Sequence, residues 1–197
     1  MTGSVLRWLR PLAFGLAAAA LCGGGALAQG LPIAERIQLC SACHGEDGNA
    51  KLENIPSLAG QPAFFILNQL VLMREGVRKI EAMAPIVKDL KDEDLDTLSK
   101  HYAALAPKSS DEPVDQALVT RGAALADQKR CVSCHGASLG GQDQIPRIGK
   151  QRIDYLTKAL REFRDGTRPS GDTIMSGAVA GLSDADLLAL AHFSASK

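Results

Sequence analysis

Charged and apolar residues are unevenly distributed along the chain. Met1 to Ala28 carries Arg7 and Arg10, then no charge from Pro11 through Leu27, and closes on Ala26-Leu27-Ala28. A positive start, an apolar middle and a small-x-small end predict a secretory signal peptide, residues 1–28, cleaved after Ala28 to leave Gln29 as the first mature residue. Gly15, Gly23, Gly24 and Gly25 dilute the stretch relative to a membrane-spanning helix. Leu21 stands where a lipoprotein signal ending at Cys22 would carry Gly or Ala. Beyond this segment the pattern is helical. Apolar stretches end in Arg74-Glu75-Gly76-Val77-Arg78 and Arg164-Asp165-Gly166-Thr167-Arg168. Gly76 and Gly166 there predict helix C-termini, with basic side chains at the negative end of each dipole. Leu90-Lys91-Asp92-Glu93-Asp94-Leu95 and Leu182-Ser183-Asp184-Ala185-Asp186-Leu187 predict the starts of two final helices. Ser183 with Asp186 resembles a capping box. No segment alternates as a strand would.

These elements occur twice. Ile55-Pro56-Ser57-Leu58 followed by Gln61 matches Ile145-Pro146-Arg147-Ile148 followed by Gln151, and the helix ends and acid-rich starts match in turn. Pro107-Lys108-Ser109-Ser110-Asp111-Glu112-Pro113 has linker composition. The expected architecture is all-α: two domains related by internal duplication, residues 29–106 and 114–197, joined by a linker at 107–113. Each has a short motif-bearing helix, an extended loop, a middle helix and a final helix.

Composition narrows the function. The chain holds 22 basic and 22 acidic residues, and losing Arg7 and Arg10 with the signal leaves 20 against 22. This balance lacks the basic excess of a nucleic-acid-binding domain. The acidic excess lies in the first half: 8 basic and 11 acidic residues from Gln29 to Pro107, against 12 and 11 from Lys108 to Lys197. Aromatic residues are scarce, so a large apolar cofactor would help to fill each small core.

The chemistry lies in Cys40-Ser41-Ala42-Cys43-His44 and Cys131-Val132-Ser133-Cys134-His135. Cys-x-x-Cys-His is the attachment signal for c-type haem. At i, i+3 and i+4 of a helix, two thiols and an imidazole share one face. They can hold a flat macrocycle by its edge and by its metal. Four of the five cysteines are used in these motifs, and the fifth, Cys22, lies in the predicted signal. Two covalent haems are expected, on Cys40 and Cys43 and on Cys131 and Cys134, with His44 and His135 as iron ligands.

The opposite face of each iron decides between electron transfer and chemistry on small molecules. Met83 follows His44 by 39 residues and Met175 follows His135 by 40, each between the middle and final helices in what reads as a loop. This matched pair is the expected second ligand set. Met73 aligns with Phe163 and reads as core packing. His101 and His192 in the final helices are the rivals, but they do not align with each other. Pro56 and Pro146 follow the motif histidines by 12 and 11 residues. Each is either a simple turn residue or a carbonyl that orients the histidine ring.

Together these motifs resemble the dihaem cytochrome c4 family, over essentially all of the mature chain. The resemblance implies two class I cytochrome c folds related by an approximate two-fold axis, with haem propionates near their interface. It also implies His44 with Met83 and His135 with Met175 as ligands, and Pro56 and Pro146 as the carbonyls that accept from the haem histidines. Pro85 closely follows Met83, whereas Gly177 holds the matching place, so the second methionine loop is expected to be the looser one.

The expected activity is electron transfer without substrate turnover: a periplasmic carrier between a respiratory donor and an acceptor. The donor would be a membrane quinol-oxidising complex or a dehydrogenase, the acceptor a terminal oxidase or reductase. The rivals are a dihaem peroxidase or sulfur-compound oxidoreductase, and a cytochrome subunit of a membrane complex. The sequence leaves open whether the mature protein is free or loosely membrane-associated.

Overall fold

The computed structural model describes Met1, residues 31–168 and residues 173–197. The expected cleavage point, and all of the expected signal peptide but Met1, lie outside the described residues. The described residues are helical apart from loops and one isolated bridge between Gln142 and Ile145. The first half holds α1 (Ile33–His44), α2 (Ala63–Arg74), α3 (Ala84–Val87) and α4 (Asp92–Ala104). The second holds α5 (Gln116–Gln128), α6 (Val132–His135), α7 (Ile153–Arg164), α8 (Thr173–Val179) and α9 (Asp184–Ala195). Among the described residues no single helix is long and apolar enough to cross a membrane.

The helix ends follow local chemistry. Gly76 and Gly166 take φ of +69° and +66° just past α2 and α7, a region open to glycine at little cost. Ser183 and Asp186 form the expected capping box at α9: the Ser183 hydroxyl accepts from the Asp186 N–H at 3.2 Å, and the Asp186 carboxylate accepts from the Ser183 N–H at 3.0 Å. At α4 only half of this exists. Asp94 accepts from the Lys91 N–H at 2.9 Å, and the lysine side chain has no acceptor to offer in return.

The motif helix is continuous in the first half and broken in the second. Arg130 takes φ +57° between α5 and α6, so the chain turns just before Cys131. Cys131 is itself helical, and the His135 N–H bonds its carbonyl at 3.1 Å, so the i, i+3, i+4 spacing survives the break.

The cores differ in how they meet one demand. The Gly48 carbonyl accepts from the N–H groups of Leu58 and Ala59, and that of Leu139 from Ile148 and Gly149. Both residues need a left-handed backbone, φ +73° at Gly48 and +55° at Leu139. A leucine there costs about 1–2 kcal/mol. The Leu139 side chain is fully buried against Ala126, Leu190 and Phe193, a gain of about 1.5–3 kcal/mol. Packing therefore offsets the backbone cost. Where α5 crosses α9, Gly122 lies against the Ala189 carbonyl, and a methyl group on it would come within 2.7 Å of the Phe193 Cβ.

Residues 107–113 are tied to both halves. Lys108 donates from its N–H to Asn49 Oδ1 at 2.8 Å and from Nζ to Asp47 at 2.7 Å. Glu112 accepts from the N–H groups of Ile153 and Asp154 at 2.7 and 2.9 Å. These are first-turn donors of α7 that would otherwise lack partners, so a residue with linker composition caps a helix about 40 positions away.

Candidate functional site

Two histidines are held alike. His44 is buried at the end of α1, and its Nδ1 lies 2.8 Å from the Pro56 carbonyl oxygen. His135 is buried at the end of α6, and its Nδ1 lies 2.8 Å from the Pro146 carbonyl oxygen. A carbonyl only accepts, so Nδ1 carries the proton and Nε2 holds the lone pair, the form that ligates a metal. Burial pushes the His44 imidazole below its ordinary pKa against the opposing Pro56 bond, which favours that neutral form. Of the two roles open to Pro56 and Pro146, the geometry is that of the orienting carbonyl.

Of the four motif cysteines, Cys43 and Cys134 are exposed and Cys40 and Cys131 half-buried. Cys40 packs on the first core cluster and Cys131 on the second. Burial raises both of these thiols. A cleft of about 280 Å³ opens against Cys40, lined by Leu31, Leu39, Pro85, Ile86, Leu90 and Leu98 among others.

Met83 lies in the turn that leads into α3, as expected of a loop residue, whereas Met175 stands within the short helix α8. Met83 caps the N-terminus of α3 and packs on the core of Ile66, Val87, Leu90, Leu95, Leu98 and Tyr102. Met175 is half-buried within α8. Pro85 falls in the first turn of α3, and Gly177 lies inside α8. A four-residue and a seven-residue helix are too short for hydrophobic periodicity to reveal. Met73 packs on the first core, as expected.

Each methionine segment is closed by an arginine clasp that the sequence reading missed. Arg74 Nη1 donates to the Leu90 carbonyl at 3.1 Å and to Asp92 at 2.7 Å. Arg164 Nη1 donates to the Leu182 carbonyl at 3.2 Å and to Asp184 at 2.6 Å. The available signal was the recurrence of both arginines and both aspartates at matched repeat positions.

Buried donors without acceptors test whether a carboxylate-bearing cofactor fits. Among the described residues Arg78 Nε and Arg147 Nη2 are buried with no hydrogen-bond partner. Burial draws the Arg147 guanidinium down to about 10. Burial also lowers Arg78, with Arg168 nearby adding like charge. The Tyr155 phenol is buried, yet Arg168 and Arg78 together hold it below its ordinary value. Arg78 also donates to Gln69 and Arg147 to the Ala59 and Gly149 carbonyls, but a buried guanidinium with an unused donor favours a further, anionic acceptor. Two propionates per haem would supply acceptors of that kind, so these residues fit the group.

The rival histidines are engaged differently. His192 Nδ1 accepts from the Asp115 N–H at 3.1 Å, which fixes α9 to the start of α5. His101 lies edge-on to Tyr102, ring centroids 4.9 Å apart.

Paired helical repeats, each with a Cys-x-x-Cys-His motif whose histidine is pinned by a proline carbonyl, define a tandem c-type cytochrome. Residues 119–196 match the Cytochrome c family. The chain is 34% identical over 169 residues to cytochrome c4 of Pseudomonas aeruginosa, covering 80% of this chain and 83% of the relative. It superimposes on the crystal structure of reduced recombinant cytochrome c4 from Pseudomonas stutzeri with a TM-score of 0.75 at 32% identity, covering 82% of this chain and 95% of the other. A third relative, named thiosulfate dehydrogenase electron acceptor, from Stutzerimonas stutzeri, is 32% identical over 165 residues, covering 78% of this chain and 76% of the relative. The chain belongs to the cytochrome c4 family. It is therefore a dihaem c-type cytochrome acting in electron transfer, with covalently bound haem c.

Proposed function

We propose that this chain is an exported, periplasmic one-electron carrier whose two haems are closed on both faces by protein ligands. In this reading residues 1–28 direct export, 29–106 and 114–197 each fold around one haem, and 107–113 connect them. Cys40 and Cys43, and Cys131 and Cys134, hold the haems by thioethers. His44 with Met83, and His135 with Met175, are the axial pairs. When bound, each haem supplies one reversible electron.

The carrying observation is the matched 2.8 Å contact from each motif histidine to a proline carbonyl. It fixes tautomer and ring orientation, and it increases the basicity of Nε2. The arginine clasps hold each methionine segment at both ends. The orphaned donors of Arg78 and Arg147 are suited to haem carboxylates. Ligands that stay bound in both oxidation states keep reorganisation small, as electron transfer requires.

The donor in the primary reading is a quinol-oxidising complex or a dehydrogenase, and the acceptor a terminal oxidase or reductase. A second reading is favoured by the relative named thiosulfate dehydrogenase electron acceptor: the donor is then a sulfur-compound dehydrogenase.

Visible spectra and a potentiometric titration of the purified holoprotein test the ligand set. The oxidised protein should show the weak thioether-to-iron band toward the red end, and Met83→Ala and Met175→Ala should each remove one centre's share and lower its midpoint. Unchanged spectra and midpoints in both variants would refute the assignment. Rapid carbon monoxide binding to the reduced wild-type protein would instead favour an enzyme.

A further inference from the structure

The two halves meet through a reciprocal pair of glutamines. Gln151 of the second half donates from Nε2 to the Ser57 carbonyl at 2.9 Å, and its Oε1 accepts from the Ser57 N–H at 2.8 Å. Gln61 of the first half donates from Nε2 to the Arg147 carbonyl at 2.8 Å, and its Oε1 accepts from the Arg147 N–H at 3.0 Å. All four residues are buried. Ser57 and Arg147 occupy matched repeat positions, as do the two glutamines, so the four bonds form a two-fold exchange.

The residues gripped are the ones that follow Pro56 and Pro146. The Pro56–Ser57 peptide group therefore makes two bonds at once. Its carbonyl accepts from His44 Nδ1 at 2.8 Å, and its N–H donates to Gln151. The Pro146–Arg147 peptide group does the same between His135 and Gln61. We propose that Gln151 and Gln61 are positioning residues acting crosswise: each tunes the haem-ligating histidine of the opposite half through one shared peptide group. This inference rests on the reading of His44 and His135 as iron ligands.

The direction follows from amide polarisation. Donation through the N–H draws charge toward the carbonyl oxygen of the same peptide, and bonds in such a chain strengthen one another, more so in a dry interface. A stronger acceptor at the Pro56 oxygen makes the His44 imidazole more basic. A more basic ligand stabilises ferric over ferrous iron and lowers the midpoint. Gripping Ser57 at both its N–H and its carbonyl also keeps the Pro56 oxygen in place. Each half thus depends on the other for its ligand field, and separating them alters both haems.

The test uses the full dihaem protein. Gln151→Met keeps side-chain length and removes both bonds. Its expected effect is a rise in the midpoint of the haem held by His44, read as a several-fold increase in that haem's reduced-to-oxidised ratio at fixed solution potential, while the haem held by His135 moves much less. Gln61→Met should give the mirror result. The two midpoints are assigned to their halves by the single-methionine variants described above. In the reduced protein the Nδ1 proton of the opposite half's histidine should move upfield as its hydrogen bond weakens. Gln151→Glu, which gives the Ser57 N–H a stronger, charged acceptor, should lower the midpoint of the His44 haem below wild type while moving the His135 haem much less; it also serves as the test where Gln151→Met yields no folded holoprotein. Equal shifts at both haems, a shift confined to the variant's own half, or no shift would overturn the crosswise role. Hyperfine-shifted Nδ1 protons of both histidines in the ferric wild-type protein test the ligand reading separately, and their absence would overturn that reading instead.

Discussion

Arg164 and Asp184 meet at 2.6 Å, joining the last turn of α7 to the first turn of α9. The same arginine holds the Leu182 carbonyl at 3.2 Å, so one guanidinium closes the segment that carries Met175. Arg74 and Asp92 do this for Met83 at 2.7 Å. Arg164→Ala should therefore loosen Met175 before it unfolds the domain. On heating the oxidised protein, the thioether-to-iron band of that centre should fade at a lower temperature than the far-ultraviolet helix signal. Coincident loss of both signals in the variant would contradict the clasp.

Gly122 is predicted to be intolerant of any side chain. A methyl group would run into the Ala189 carbonyl and press on Phe193 where α5 and α9 cross. Gly122→Ala should cost about 1–3 kcal/mol through overpacking. Denaturant unfolding of the holoprotein followed by circular dichroism would measure this, with the loss expected in the second half's transition.

Arg130 presents the opposite case. Its φ of +57° is a conformation that a side chain disfavours and glycine accepts. Arg130→Gly should stabilise the second half by about 0.5–1 kcal/mol, the left-handed penalty being partly returned as flexibility of the unfolded chain. A lower denaturation midpoint would show that the Arg130 side chain contributes more than its backbone costs.

Asp186 gives a pH dependence with a definite sign. The Ser183 hydroxyl and backbone N–H, followed by Arg121, hold its carboxyl down at about 2, below the ordinary aspartate value of about 3.9. A depressed carboxyl contributes stability that is fully present above the unfolded pKa and lost as pH falls through the folded one. The capping contribution should thus fade between about pH 4 and pH 2. In Asp186→Asn the fall in stability across that window should be shallower than in wild type, measured as denaturation midpoint against pH. Identical slopes would show that the carboxylate carries none of the acid sensitivity.

Much of this architecture was legible in the chain because it is written locally. Gly76, Gly166 and the Ser183–Asp186 box act within one helical turn. The motif thiols and imidazoles are placed by i, i+3, i+4 geometry alone. Internal duplication then served as a comparison within the molecule, separating Met83 and Met175 from unmatched Met73, His101 and His192. Where the reading fell short, the features were short or remote. The helix that begins after Met83 and the one that contains Met175 are four and seven residues long, and both stretches read as loop. Glu112 had the composition of a linker, yet its carboxylate caps α7.

By itself the sequence determined the chemistry this chain can hold: the haem-attachment motifs, their repetition, the helix class and the ends of the main helices. Each of these is a consequence of residues within a few positions of one another. Tertiary structure alone decided which distant groups complete that chemistry. Arg164 reaches a carbonyl 18 residues on, and Gln151 a peptide group 94 residues back. Chain periodicity carries no record of such partners, because a side-chain amide or guanidinium bonds any well-placed acceptor, and only the packed fold selects one.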